Sequence, residues 1–141
     1  MKITNLMLMA SLWVGMWFTT AASAHEYLGT LGAAATATDI WYFTCLNPNT
    51  AKVQLQVKRT AGTPCVKASL SGTTLTATSC STSYTALTSV STGAGNKVFI
   101  VNKSPALAGG ISYNVRAHCI DNTGVHNPAD QTDVQTYIQN Q

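Results

Sequence analysis

Charge is what this chain has least of. Charged residues make up 9% of its 141, with eight Lys and Arg against five Asp and Glu. Nucleic-acid binding calls for a dense basic patch, and no such patch is present. The carboxylates are Glu26, Asp39, Asp121, Asp130 and Asp133, and nothing in their spacing selects an acid–base pair. The chain has no Gly-x-Ser-x-Gly elbow, no His-Glu-x-x-His pair and no phosphate-binding glycine loop. Serine hydrolysis, zinc proteolysis and nucleotide handling therefore lack their usual frames. A Cys-x-x-Cys spacing is also missing, which argues against a cysteine metal site. These gaps lead to the expectation of a protein that is not an enzyme.

One apolar run is present, Leu6 to Phe18. It follows Lys2 and precedes Ala22-Ser23-Ala24, a small-residue site of the Ala-x-Ala type. That is the layout of a secretory signal peptide over residues 1–24. The run is shorter than the ~20 residues a spanning helix needs, and no other segment reaches that length. Cleavage after Ala24 would leave residues 25–141, nearly neutral, periplasmic or secreted, with no membrane span. All four cysteines, Cys45, Cys65, Cys80 and Cys119, lie beyond that site. An even count in a small exported domain implies disulfides.

Two stretches organise the rest. Asp39-Ile-Trp-Tyr-Phe-Thr-Cys45 and Ile111-Ser-Tyr-Asn-Val-Arg-Ala-His-Cys119 are rich in the β-branched and aromatic residues that fit a pleated surface. Side chains alternate between the faces of a strand. Trp41, Phe43 and Cys45 therefore share one side. Ile111, Tyr113, Val115, Ala117 and Cys119 share another, opposite Ser112, Asn114, Arg116 and His118. Both cysteines fall on apolar sides, so Cys45–Cys119 is the expected link. It closes a loop of roughly 75 residues, worth ~4 kcal/mol by chain-entropy reasoning. The other pair follows from a hairpin. A four-residue loop at Ser71–Thr74 sets Leu70 against Leu75, Ala68 against Ala77 and Val66 against Ser79. The same register puts Cys65 opposite Cys80, within disulfide reach.

Further strands are expected over Lys52–Lys58, Ser81–Val90, Lys97–Asn102 and Val134–Ile138, separated by Gly, Pro and Asn turns. The run Val98–Val101 is apolar at every position, which predicts cover on both faces. Residues 25–38 are weakly patterned and read as an N-terminal strap. Residues 39–141 read as one all-β domain with a polar C-terminal tail. Seven to eight short strands with no helix indicate an antiparallel β-sandwich or jelly roll.

The order Thr38-Asp-Ile-Trp-Tyr-Phe43, a Val/Leu alternation, a Ser-Gly hairpin, Gly95-Asn-Lys-Val-Phe-Ile-Val101 and Gly109-Gly-Ile-Ser-Tyr-Asn-Val115 resembles the bacterial pre-peptidase C-terminal (PPC) β-sandwich. The resemblance spans about residues 38–119. It implies a non-catalytic binding or targeting module and transfers no catalytic residue. Lys97-Val98-Phe99 stands where that family favours a tyrosine, and the four cysteines are additional.

The sharpest chemical feature is His25. Cleavage after Ala24 would leave its α-amine and its imidazole Nδ1 on one terminal residue, able to chelate one copper ion. Nitrogen-rich tetragonal sites suit Cu(II). His118, on the polar side of its strand, and His126, in the loop beyond, are the remaining imidazoles. The arrangement resembles the histidine brace of exported copper proteins. The chain is shorter than a lytic polysaccharide monooxygenase and lacks the Asp-x-His pair of CopC-like carriers. Two other ligands are conceivable from sequence. Asp121-Asn-Thr-Gly124 with Asp130 would be a calcium site, though without EF-hand spacing. Tyr27, Trp41, Tyr42, Tyr84 and Tyr137 would be a glycan platform. A protein partner, or self-assembly through edge strands or the strap, completes the expectations.

Overall fold

The computed structural model describes residues 25–132 and 137–140. The expected signal peptide, residues 1–24, lies outside them, as do Asp133 and the start of the expected last strand at Val134. No helix among the described residues is long and apolar enough to cross a membrane.

The protein is a sandwich of two antiparallel sheets. Its strands are β1 (Glu26–Leu31), β2 (Thr38–Cys45), β3 (Thr50–Gly62), β4 (Cys65–Leu70), β5 (Thr76–Ser79), β6 (Thr88–Ser91), β7 (Gly95–Ser104), β8 (Ile111–Asp121) and β9 (Tyr137–Asn140). One sheet runs β1-β8-β3-β6 and the other β5-β4-β7-β2-β9. A short 3₁₀ turn covers Pro128–Asp130.

Period-two alternation builds the core. Val53, Leu55 and Val57 of β3 and Ile111, Tyr113, Val115, Ala117 and Cys119 of β8 point inward from the first sheet. Trp41, Phe43, Val66, Ala68, Phe99 and Val101 meet them from the second. The aromatic rings form its centre, with Trp41 stacked on Phe99 at 6.2 Å between centroids and Tyr27 at 5.3 Å from Phe99. In β7 Phe99, Val101 and Lys103 are buried, and Val98 and Ile100 are half-buried on the outer face. The apolar run therefore reflects a central strand with one covered face.

Residues 26–31, expected as part of a strap, form the edge strand β1, paired along its length with β8. The glycine at position 29 hides the alternation. Tyr27 and Leu31 point inward, and Gly29 stands opposite Tyr113. A Cβ on Gly29 would lie 2.2 Å from the Tyr113 hydroxyl, so the absent side chain is what admits that ring. The hydroxyl accepts from Trp41 Nε1 at 2.8 Å and donates to the buried carboxylate of Asp39. Burial pushes the Asp39 pKa up, against the lowering effect of that hydrogen bond.

Both expected disulfides are present. Cys45–Cys119 joins the two sheets with 5.6 Å between Cα atoms, and Cys65–Cys80 staples the β4–β5 hairpin at 4.2 Å. The hairpin register is the predicted one, with Val66 opposite Ser79 and Ala68 opposite Ala77. Among the described residues no cysteine is free.

Candidate metal centre

The three histidines come from separate parts of the chain and meet. His118 stands near the end of β8, on its outward parity and opposite Gln54 of β3. His126 follows five residues after β8 ends. His25 immediately precedes β1. The ring centroids of His118 and His126 are 4.5 Å apart, and those of His25 and His126 are 5.6 Å apart. An imidazole ligand holds its ring centre about 3 Å from the metal, so two ligands of one ion have centroids about 4.5–6.5 Å apart. Both pairs fall within that range.

Local structure explains the meeting. After β8 the chain turns through Asp121, whose Oδ1 accepts from the main-chain N–H of Thr123 and Val125, at 2.9 Å each, and from the Thr123 hydroxyl. The Asn122 N–H reaches the Asn49 carbonyl, which folds the loop back over the sandwich end. The segment beyond His126 is pinned by buried Gln131. Its Oε1 accepts from Cys119 N, and its Nε2 donates to Tyr27 Oη and to the Ala117 carbonyl. The inter-sheet disulfide anchors Cys119 itself. The backbone on either side of His118 and His126 is thus held by β-ladder, disulfide and glutamine together.

Main-chain carbonyls set two of the tautomers. His126 Nδ1 lies 2.9 Å from the Cys119 carbonyl, and His25 Nε2 lies 3.3 Å from that of Pro128. A carbonyl only accepts, so each of these nitrogens carries the proton. The lone pairs then belong to His126 Nε2 and His25 Nδ1. Donation of the second ring N–H to a carbonyl is the usual support of a metal-ligating histidine. His126 Nε2 is buried and, like Ser69 Oγ and Arg116 Nε, has no hydrogen-bond partner among the described residues. Buried polar atoms without partners are uncommon and point to a bound ion or water.

The electrostatics keep the His118 imidazole neutral. Burial depresses the His118 pKa to about 4, with smaller contributions from His126, His25 and Arg116. A neutral imidazole is the form that binds a metal. The rings stand edge to face, at 88° and 84°, and among the described residues no group of three or more His, Cys, Asp or Glu is arranged to hold a metal ion.

Beside the histidines lies a second constellation, unmarked in the sequence. Glu26 accepts hydrogen bonds from the Tyr84 hydroxyl and from Asn114 Nδ2, the latter at 2.8 Å. Lys58 and Arg116 approach the same carboxylate at 3.8 and 3.9 Å. The Tyr84 ring lies over both cations, 4.0 Å from Arg116 Cζ and 4.4 Å from Lys58 Nζ. Hydrogen bonding from Tyr84 leads the lowering of the Glu26 pKa, and burial leads the rise of Tyr84 to about 12. No sequence motif joins these residues. Strand parity alone groups Glu26, Asn114, Arg116 and Lys58 on one face once the β1-β8-β3 order is known.

The other sequence candidates are not assembled. Tyr27 and Trp41 are buried in the core, Tyr42 is exposed on the outer face of the second sheet, and Tyr84 lies on the first. A shared glycan platform is therefore not formed by these four. Asp121 is saturated by its own turn, which lowers its pKa chiefly through Thr123, and Asp130 accepts from Asn47 Nδ2. Both carboxylates are engaged in holding loops. No protein-family model, curated protein or solved structure matches this chain, so the resemblance to the PPC sandwich rests on its strand motifs alone.

Proposed function

We propose that this chain is an exported, non-catalytic β-sandwich binding module, and that its ligand is a transition-metal ion, copper(II) first among them. The observation that carries the reading is that His126 stands at ligand separation from both His25 and His118. His25 is remote in sequence from the other two, and the pairing of β1 with β8 brings it to them. The bland alternative is a packed polar corner. It accounts less well for two imidazoles braced by carbonyls and for a buried nitrogen without a partner.

Export supplies the rest of the site. Processing after Ala24 would turn the main-chain nitrogen of His25 into an amine. The tautomer that donates to Pro128 leaves the lone pair on Nδ1, the ring nitrogen that closes a six-membered chelate with that amine. Four nitrogens, the amine and three imidazoles, favour Cu(II) over Zn(II), in line with the general affinity order. The two disulfides fit an oxidising destination. The same module offers exposed edges, β1 and β6, to a protein or glycan partner or to self-assembly.

The experiment is a copper titration of protein that begins at His25, followed by calorimetry and electron paramagnetic resonance. The reading expects one equivalent of Cu(II) at submicromolar affinity, with nitrogen hyperfine structure. His118→Ala and His126→Ala should each weaken binding ten- to a hundredfold or more. Equal binding by wild type and both variants, or no binding, would refute it.

A further inference from the structure

The carboxylate of Glu26 is the most heavily engaged acidic group on the surface of the sandwich, and it belongs to the residue directly after His25. Four side chains from three places hold it: Tyr84 from the segment before β6, Asn114 and Arg116 from β8, and Lys58 from β3. That exceeds what an exposed edge residue needs. The strand beyond it is already paired with β8 from Glu26 onward, so the clamp adds nothing to the ladder downstream. What it does fix is the first residue of the ladder, and with it the direction in which the preceding residue leaves the sheet.

We propose that Glu26 is a positioning residue for the metal centre: clamped by Tyr84, Asn114, Arg116 and Lys58, it holds His25 against His126. This rests on the copper reading above and goes beyond it, because it assigns a role to residues that touch no ligand nitrogen. The clamp limits the freedom of a terminal residue, so less of that freedom is lost when the metal binds. Tyr84 matters most after Glu26 itself. Its ring is seated on the two cations, so its hydroxyl is aimed across β3 and β8 at the carboxylate. Supports of this kind are worth about 10–100-fold in metal affinity where they have been removed from metal sites.

The test compares Glu26→Ala, Glu26→Gln and Tyr84→Phe with wild type and with His25→Ala. Glu26→Ala should lose about tenfold or more in copper affinity. Its paramagnetic spectrum should shift toward that of His25→Ala. Glu26→Gln still accepts from Tyr84 and Asn114, so it should recover part of the loss, and Tyr84→Phe should fall between. A wild-type spectrum and affinity in Glu26→Ala would overturn the proposal while leaving the copper site intact. A second measurement does not depend on copper. In the metal-free protein, nuclear Overhauser contacts between the His25 and His126 rings should be present in wild type and lost in Glu26→Ala. Their persistence in that variant would overturn the proposal even if copper does not bind.

Discussion

The two sheets are alike inside and unlike outside. The outer face of the first carries His118, Arg116, Asn114, Lys58, Gln54 and Gln56, with Glu26 and Tyr84 locked onto it. The outer face of the second carries Ile40, Tyr42, Val98 and Ile100, in adjacent register with Ile138. Its polar residues are mainly Thr, Ser and Asn, as at Thr44, Thr78 and Asn96. In a chain with so few charges, their concentration on one face is informative. A solvated surface needs only polarity, which hydroxyls supply on the second sheet. Paired charges, half-buried imidazoles and carbonyl-braced rings go further than solubility requires, and they sit where the histidines meet. The histidine cluster and the Glu26 clamp thus belong to the first sheet.

The largest expected effect follows from that contrast. His118→Ala should abolish most copper affinity, by at least ten- to a hundredfold. Tyr42→Ala, on the opposite face, should leave it unchanged in calorimetry. If both variants bind alike, the two faces do not differ in the way described.

The disulfides sharpen the comparison next. Cys45 and Cys119 are 74 residues apart and Cys65 and Cys80 only 15. Chain entropy therefore ranks their removal at ~4 and ~3 kcal/mol. Replacing Cys45 and Cys119 with Ala should lower denaturant stability more. It should also weaken copper binding, because the Cys119 carbonyl braces His126. Replacing Cys65 and Cys80 should cost stability with little effect on copper. Gly29→Ala falls in the same range. Its methyl group meets the Tyr113 ring, for an expected overpacking cost of ~1–3 kcal/mol by chemical denaturation.

The smallest effect is on pH. In the fold His118 titrates at about 4 because of burial, against 6.5 for an ordinary histidine. As pH falls below 6.5 the unfolded chain takes up the proton first. The contribution of His118 is therefore complete above pH 6.5 and is lost as pH falls to about 4. Its partial exposure limits the loss to ~1 kcal/mol. Urea midpoints of metal-free wild type should drop across this window, and those of His118→Asn should drop less. A histidine resonance that titrates at 6.5 in the folded protein and belongs to His118 would contradict the assignment.

Sequence carried much of the fold because alternation and turn residues are local signals. The parity of β8 separated Cys119 from His118, and one hairpin register fixed Cys65 against Cys80. β1 gives no strand signal because Gly29 interrupts the alternation, and the reason for that glycine is a long-range one, the Tyr113 ring. The outer face of β7 is not legible because an apolar run does not say how many layers cover it. At the site, residue types named the three histidines, and the chelate chemistry of His25 follows from its place directly after the expected cleavage site. Their adjacency depends on the strand order β1-β8-β3 and on the loop held by Asp121 and Gln131. The Glu26 clamp was invisible, since Tyr84, Asn114, Lys58 and Arg116 share no spacing until those strands pair.

The most direct test of the central claim is native mass spectrometry of the protein recovered from the exported fraction after exposure to copper. The account predicts a chain beginning at His25, four hydrogens lighter than the reduced form, with one copper ion retained. A chain that keeps residues ahead of His25, carries four thiols or holds no copper would contradict it.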